Sequence, residues 1–94
     1  MNQLDFKGRT AIVTGGAAGI GLAIVRRLAA SGAAVRIWDV DQKRLQQTLG
    51  ALDGAVSGDV VDVTDPAAVA RGTDAAMTAL GRVDVLVNNA GVAG

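Results

Sequence analysis

The sequence predicts an α/β fold: a parallel sheet with helices on both faces. Three observations carry this. Short β-branched runs alternate with longer segments in which apolar residues recur at helical spacing. The strands are apolar along most of their length, as expected when helices cover both faces of a sheet. Strands that alternate with helices run parallel and join through right-handed crossovers. Ninety-four residues give room for one small domain, spanning 1–94.

Thr10 to Thr14 (TAIVT) is the first strand, after the polar turn Lys7-Gly8-Arg9. Gly15 to Gly21 is a glycine loop. The first helix is expected from Leu22 to Ala30, with Ile24 and Leu28 on one face and Ser31-Gly32 as its C-terminal stop. Ala34 to Asp39 (AVRIWD) is the second strand. Asp41 caps a helix carrying Leu45, Leu49 and Leu52 at helical spacing. Val56 to Val63 contains the third strand, expected from Asp59 onward. Thr64-Asp65-Pro66 is a helix start, a capping side chain followed by Pro at the first helical position. Val69, Thr73, Met77 and Leu80 are expected to form the inner face of that helix, and Gly81 ends it. Val83 to Asn88 is the fourth strand, and Asn89-Ala90-Gly91 turns out of it.

Composition narrows the function. The chain is 50% hydrophobic but 2% aromatic, so Ala, Val, Ile and Leu must build the core. Nine basic residues balance nine acidic ones, which gives no electrostatic ground for a nucleic acid or membrane partner. There is no cysteine and no histidine. Disulfides and thiolate chemistry are excluded, and the commonest metal ligand and general base is missing. Met1 to Thr10 holds no apolar signal segment. No apolar run approaches the roughly 18 residues of a membrane span. A cytoplasmic location is expected.

The glycine loop Thr14-Gly15-Gly16-Ala17-Ala18-Gly19-Ile20-Gly21 joins a strand to a helix. The first turn of a helix has unpaired N–H groups and the positive end of the macrodipole, so a pyrophosphate is favoured there. The anion must approach the backbone closely, and a Cβ would block it. Gly15 is suited to the tight turn, Gly19 to the close approach, and Gly21 to tight packing of helix on strand. The spacing departs from the G-x-G-x-x-G fingerprint, since Ala17 stands where the second glycine would be.

Thr14 to Gly21 fits T-G-x-x-x-G-x-G, Asn88-Asn89-Ala90-Gly91 fits N-N-A-G at the end of the fourth strand, and Asp62-Val63 is an acidic-then-apolar pair after the third. In these motifs, their order and their approximate spacing, the whole chain resembles the short-chain dehydrogenase/reductase family. The resemblance implies a Rossmann-type, doubly wound sheet whose first four strands lie in the order 3-2-1-4, and a parent enzyme that interconverts a secondary alcohol and a ketone by hydride transfer. It also implies a homo-oligomer of the complete chain. The cofactor would be held by Gly15, Gly19, Ile20, Gly21, Asp39, Asp62, Val63, Asn89, Ala90 and Gly91.

Asp39 ends the second strand, and a carboxylate there can accept hydrogen bonds from both hydroxyls of an adenosine ribose. It should also repel a 2′-phosphate. Two like charges about 4 Å apart repel by about 1 kcal/mol in water and about 4 at an effective dielectric of 20. No basic residue lies in Gly15 to Gly21, so the expected cofactor is NAD and not NADP. By the resemblance, Asp62 would face the adenine amino group, Val63 would pack on the ring, and Asn89, Ala90 and Gly91 would lie beside the cofactor ribose, leaving room for the nicotinamide half. Asp59 and Asp65 compete with Asp62, the first as a strand-start acid and the second as a helix cap. Thr14 is placed to bond into the Asn88-Asn89 turn. Trp38 fits a core position on the sheet better than a wall of the adenine pocket.

The resemblance also places catalysis on a tyrosine with a lysine four residues beyond it, a serine and an asparagine, all further along the chain than residue 94. This sequence has no tyrosine, and its lysines are Lys7 and Lys43. No catalytic residue is therefore assigned within it. Val85, Leu86 and Val87 would form an open apolar edge. The 94 residues are accordingly expected to be the front of a longer polypeptide. A non-catalytic NAD-binding module and a purely structural fragment are the alternatives.

Overall fold

A computed structural model describes residues 7–52 and 54–89. The elements run β1 (Thr10–Thr14), α1 (Gly19–Ala30), β2 (Ala34–Asp39), α2 (Gln42–Ala51), β3 (Val56–Val60), α3 (Pro66–Leu80) and β4 (Val85–Asn88). The sheet order is β3-β2-β1-β4 and every pairing is parallel. The expected four-stranded Rossmann-type arrangement is present.

Handedness explains the two layers. The crossovers from β1 to β2 and from β2 to β3 step one way across the sheet. The crossover from β3 to β4 steps back past β2 and β1. Right-handed connections moving in opposite directions must lie on opposite faces. One core therefore joins Ala11, Val13, Val35 and Ile37 to Val25 and Leu28 of α1 and Leu45 of α2. The other joins Ile12, Trp38 and Val61 to Ala68 and Ala76 of α3. Val13, Val25, Val35 and Ile37 are fully buried, each contributing about 1.5–3 kcal/mol.

Three sequence-based boundaries and one helix face need correction. Helix α1 begins at Gly19, three residues before the expected Leu22, because Leu22 N–H already donates to Ala18 C=O at 3.2 Å. Strand β3 runs Val56–Val60 rather than from Asp59 onward. Its register on β2 sets this, with Val56 opposite Val35 and Val60 opposite Asp39. Asp59 is thus a mid-strand residue. Its carboxylate takes Arg36 in a fork of 2.6 and 2.9 Å, while Arg36 also donates to the Ser57 hydroxyl at 2.9 Å. Strand β4 starts at Val85, two residues after Val83. Val83 instead packs against the α3-side core.

The fourth correction concerns the inner face of α3. Ala68, Gly72 and Ala76 are buried, whereas Thr73 and Met77 are exposed, Val69 is half-buried against the core, and Leu80 is half-buried. The cause is Trp38, which is 5% exposed on the sheet face. A Cβ on Gly72 would lie 3.1 Å from the indole Cζ2 and 2.8 Å from Val61 Cγ2. The helix lies so close to the ring that small residues must face it. The starts of α2 and α3 match expectation: Asp41 accepts from Arg44 N–H, and Asp65 accepts from Ala67 N–H with Pro66 at the first helical position.

Candidate cofactor site at the carboxyl ends of the strands

Crossovers on opposite faces leave β1 and β4 adjacent, with the connection out of β1 on one face of the sheet and the connection into β4 on the other. In open α/β sheets, ligands bind in the crevice at the carboxyl ends of strands at such a switch point. Thr14, Asp39, Asn88 and Asn89 all reach that end.

The glycine loop is tied to three elements. Gly15 adopts φ +66°, a backbone that favours glycine, and its N–H donates to the Trp38 carbonyl at 2.7 Å. That is the expected tight turn. Gly19 has φ +58°, and the space where a Cβ would point is open. Gly21 acts differently from expectation. A Cβ there would sit 2.2 Å from the Gly15 carbonyl oxygen and 2.7 Å from Asn89 Nδ2. It therefore admits the loop and the Asn89 side chain, not the strand. The helix-on-strand contact falls to Gly16, where a Cβ would meet Ile37 Cγ2 at 3.0 Å and Val25 Cγ2 at 3.1 Å. The sequence reading passed over Gly16, although the adjacent glycine pair was the available signal.

Helix α1 differs from its neighbours at the N-terminus. Asp41 and Asp65 cap α2 and α3, while Ala18 offers α1 no side-chain bond. Ile20, in that first turn, is 71% exposed.

Asp39 is 6% exposed. Its Oδ2 accepts from Ala17 N–H at 3.3 Å and its Oδ1 from Asp41 N–H at 3.0 Å. The carboxylate thus joins the end of β2 to the glycine loop. Thr48 of α2 donates its hydroxyl to the Ala17 carbonyl at 2.9 Å. On the other side, Thr14 Oγ1 lies 3.3 Å from the Val87 carbonyl and 3.2 Å from Asn88 Oδ1. Asn89 Nδ2 donates to the Gly15 carbonyl at 3.3 Å. The expected bond from Thr14 into the Asn88-Asn89 turn is present.

Asp62 is exposed, and its Oδ1 accepts from Thr64 N–H at 2.9 Å and from the Thr64 hydroxyl at 2.6 Å. The hydroxyl bond and then the backbone bond hold its carboxyl below the usual range. Val63 is half-buried against the α3-side core. Neither is brought against Asp39 or the loop by any of these bonds. Ala90 and Gly91 lie outside the described residues. Two hollows lie elsewhere, one of about 250 Å³ between β3 and α3 and one of about 390 Å³ along α1. Asp39, Gly15 and Asn89 line neither. Among the described residues no three potential ligands cluster to hold a metal, and no helix is long and apolar enough to cross a membrane.

The family model for short chain dehydrogenases matches residues 9–94. The chain is 43% identical over 89 residues to the 2-dehydro-3-deoxy-L-rhamnonate dehydrogenase (NAD(+)) of a Sphingomonas species, covering 95% of this chain and 35% of that protein. The crystal structure of 3-ketoacyl-(acyl-carrier-protein) reductase from Brucella melitensis, complexed with NADH, superposes with a TM-score of 0.83 at 30% identity, over 87% of this chain and 34% of that one. F189W actinorhodin polyketide ketoreductase with NADPH superposes with a TM-score of 0.86 at 37% identity, over 88% and 33%. The chain spans about a third of the length of these relatives.

Proposed function

Because the chain belongs to the short-chain dehydrogenase family, we propose that it is the NAD(H)-holding part of an oxidoreductase that interconverts a secondary alcohol and a ketone. Asp39 carries this reading. Its carboxylate sits at the carboxyl end of β2, held by the Ala17 and Asp41 N–H groups. A ribose diol can donate to such a group, whereas a 2′-phosphate is repelled by it. The chain's own residues fit a dinucleotide in two further ways: Gly19 leaves open space beside the loop, and α1 keeps its N-terminal N–H groups without a side-chain cap. Gly15, Gly19, Ile20 and Gly21 would hold the pyrophosphate, Asp39 the adenosine ribose, Asp62 and Val63 the adenine, and Asn89, Ala90 and Gly91 the nicotinamide ribose. Bound NAD would supply the hydride acceptor. The Sphingomonas relative, named for NAD(+), supports this choice of cofactor.

Calorimetric titration of the 94-residue chain with NAD and with NADP tests the reading. NAD is expected to bind more tightly, by severalfold to about a thousandfold, the span given by about 1–4 kcal/mol of repulsion. Asp39→Ala is expected to close most of that gap. A preference for NADP, or a ratio unmoved by Asp39→Ala, would sink it.

A further inference from the structure

We propose that Thr48 is a positioning residue for the cofactor, fixing the glycine loop against Asp39 and so sharpening the choice between a 2′-hydroxyl and a 2′-phosphate. The inference rests on the NAD reading of Asp39. Serine and threonine hydroxyls within helices ordinarily bond the carbonyl four residues back. Thr73 of α3 does so, donating to Val69 at 2.8 Å. Thr48, in the middle of α2, donates instead to the Ala17 carbonyl, 31 residues earlier in the chain, at 2.9 Å.

Ala17 is thereby gripped on both sides. Its N–H is held by Asp39 Oδ2 at 3.3 Å and its C=O by Thr48. Its methyl group is packed in the core at 3% exposure. In a trans peptide the C=O and the following N–H point in opposite directions. The Thr48 bond therefore also sets the direction of the Ala18 N–H, at the N-cap of α1. One hydroxyl on α2 thus fixes the Ala17–Ala18 peptide and, through the Ala17 Cα, steadies the preceding N–H that holds the ribose-reading carboxylate. Without it, the Ala17–Ala18 peptide can turn, the Ala17 Cα loses that restraint, and the Ala17 N–H no longer keeps Asp39 Oδ2 at a fixed distance from the loop. A ligand that bonds to Asp39 is weakened most, and one repelled by Asp39 is weakened least.

The test uses the 94-residue chain with Thr48→Val, Thr48→Ser and Asp39→Asn. Titrations with NAD and NADP are paired with hydrogen exchange at the Ala17 amide. Thr48→Val is expected to weaken NAD about fivefold to tenfold, the loss of one hydrogen bond. It should weaken NADP less and speed Ala17 exchange, while Thr48→Ser keeps the parental values. A merely structural Thr48 would weaken both cofactors equally and leave their ratio unchanged. If Asp39→Asn narrows the ratio but Thr48→Val leaves both the ratio and Ala17 exchange at parental values, the positioning role is overturned and the NAD reading stands. If Asp39→Asn leaves the ratio unchanged, the NAD reading fails, and Ala17 exchange still decides whether Thr48 holds the loop. Should Thr48→Val not fold, Ala17 exchange in the parent must be slower than in Thr48→Ala. Equal rates would overturn the inference.

Discussion

The Asn89 side-chain amide donates to the Gly15 carbonyl at 3.3 Å, and Gly21 is the residue that makes room for the bond. A Cβ on Gly21 would fall 2.2 Å from that carbonyl oxygen and 2.7 Å from the amide nitrogen. Backbone cannot retreat as a flexible side chain can. Gly21→Ala is therefore expected to destabilise the chain without any cofactor, by about 1–3 kcal/mol, and to break the link between the loop and the β4 turn. Thermal melts of the cofactor-free chain check this. A parental melting temperature would show that the loop relaxes freely.

Two helical glycines should respond to alanine with opposite signs. Gly50, in α2, has nothing within 4 Å of a Cβ position. Gly50→Ala should stabilise by about 0.5–1 kcal/mol through helix propensity. Gly72→Ala has the same propensity gain but pushes a methyl group to 2.8 Å from Val61 Cγ2 and 3.1 Å from the Trp38 ring. Overpacking costs about 1–3 kcal/mol, so the net change should be destabilising. Urea titration of the two variants side by side decides it. Equal stabilisation would mean that α3 does not rest on Trp38.

That same contact shows where sequence reading stops. Strands β1 and β2 were legible to the residue, because TAIVT and AVRIWD are β-branched runs bounded by turn residues. The caps Asp41 and Asp65 were legible because an N-cap acts within three residues. The inner face of α3 was not. Periodicity and size point Thr73 and Met77 inward, yet both are exposed. The sheet face there carries Trp38, whose ring leaves no room for a Cβ at Gly72, and the small residues Ala68, Gly72 and Ala76 are the buried ones. At the site, Gly15, Gly19 and Asp39 stood out in sequence because their neighbours form known patterns. Thr48 did not, since its bond to Ala17 exists only once α2 has folded over the loop.

Asp84 should give the fold an acid-sensitive clip. The Arg82 side chain, and then the Thr10 N–H, hold its carboxyl below its ordinary 3.8. A depressed folded value means that Asp84 contributes stability above about pH 4, and that this contribution is lost as pH falls through the lower folded value. Its bonds join the start of β1 to the approach to β4, with Thr10 N–H to Asp84 Oδ2 at 2.9 Å and Arg82 at 2.9 Å. Asp84→Asn should melt below the parent at neutral pH and lose less on acidification. Melting temperatures from about pH 6 down to about pH 2.5 test this. Parallel curves would show that Asp84 contributes no pH dependence. Asp62 shifts in the same direction through Thr64, so Asp62→Asn serves as the control that subtracts its share.

The 94-residue chain should bind NAD without turning over any secondary alcohol or ketone. Hydride transfer from an alcohol also requires the hydroxyl proton to leave, which takes a side chain able to exchange protons near neutral pH. The chain has no tyrosine and no histidine, and its only lysines are Lys7 and Lys43. Both are exposed, and Lys43 lies in the first turn of α2. Asp39 does not fill the gap, because two N–H groups already hold it and its proposed partner is the ribose. Calorimetry should therefore register NAD, while NADH absorbance stays flat across a panel of secondary alcohols. Replacing Asp39 should weaken the calorimetric NAD signal and leave the flat absorbance unchanged. Alcohol-dependent NADH formation that disappears in Asp39→Ala would mean that this stretch of chain carries a proton-transfer group of its own, contrary to the chemistry assigned to it.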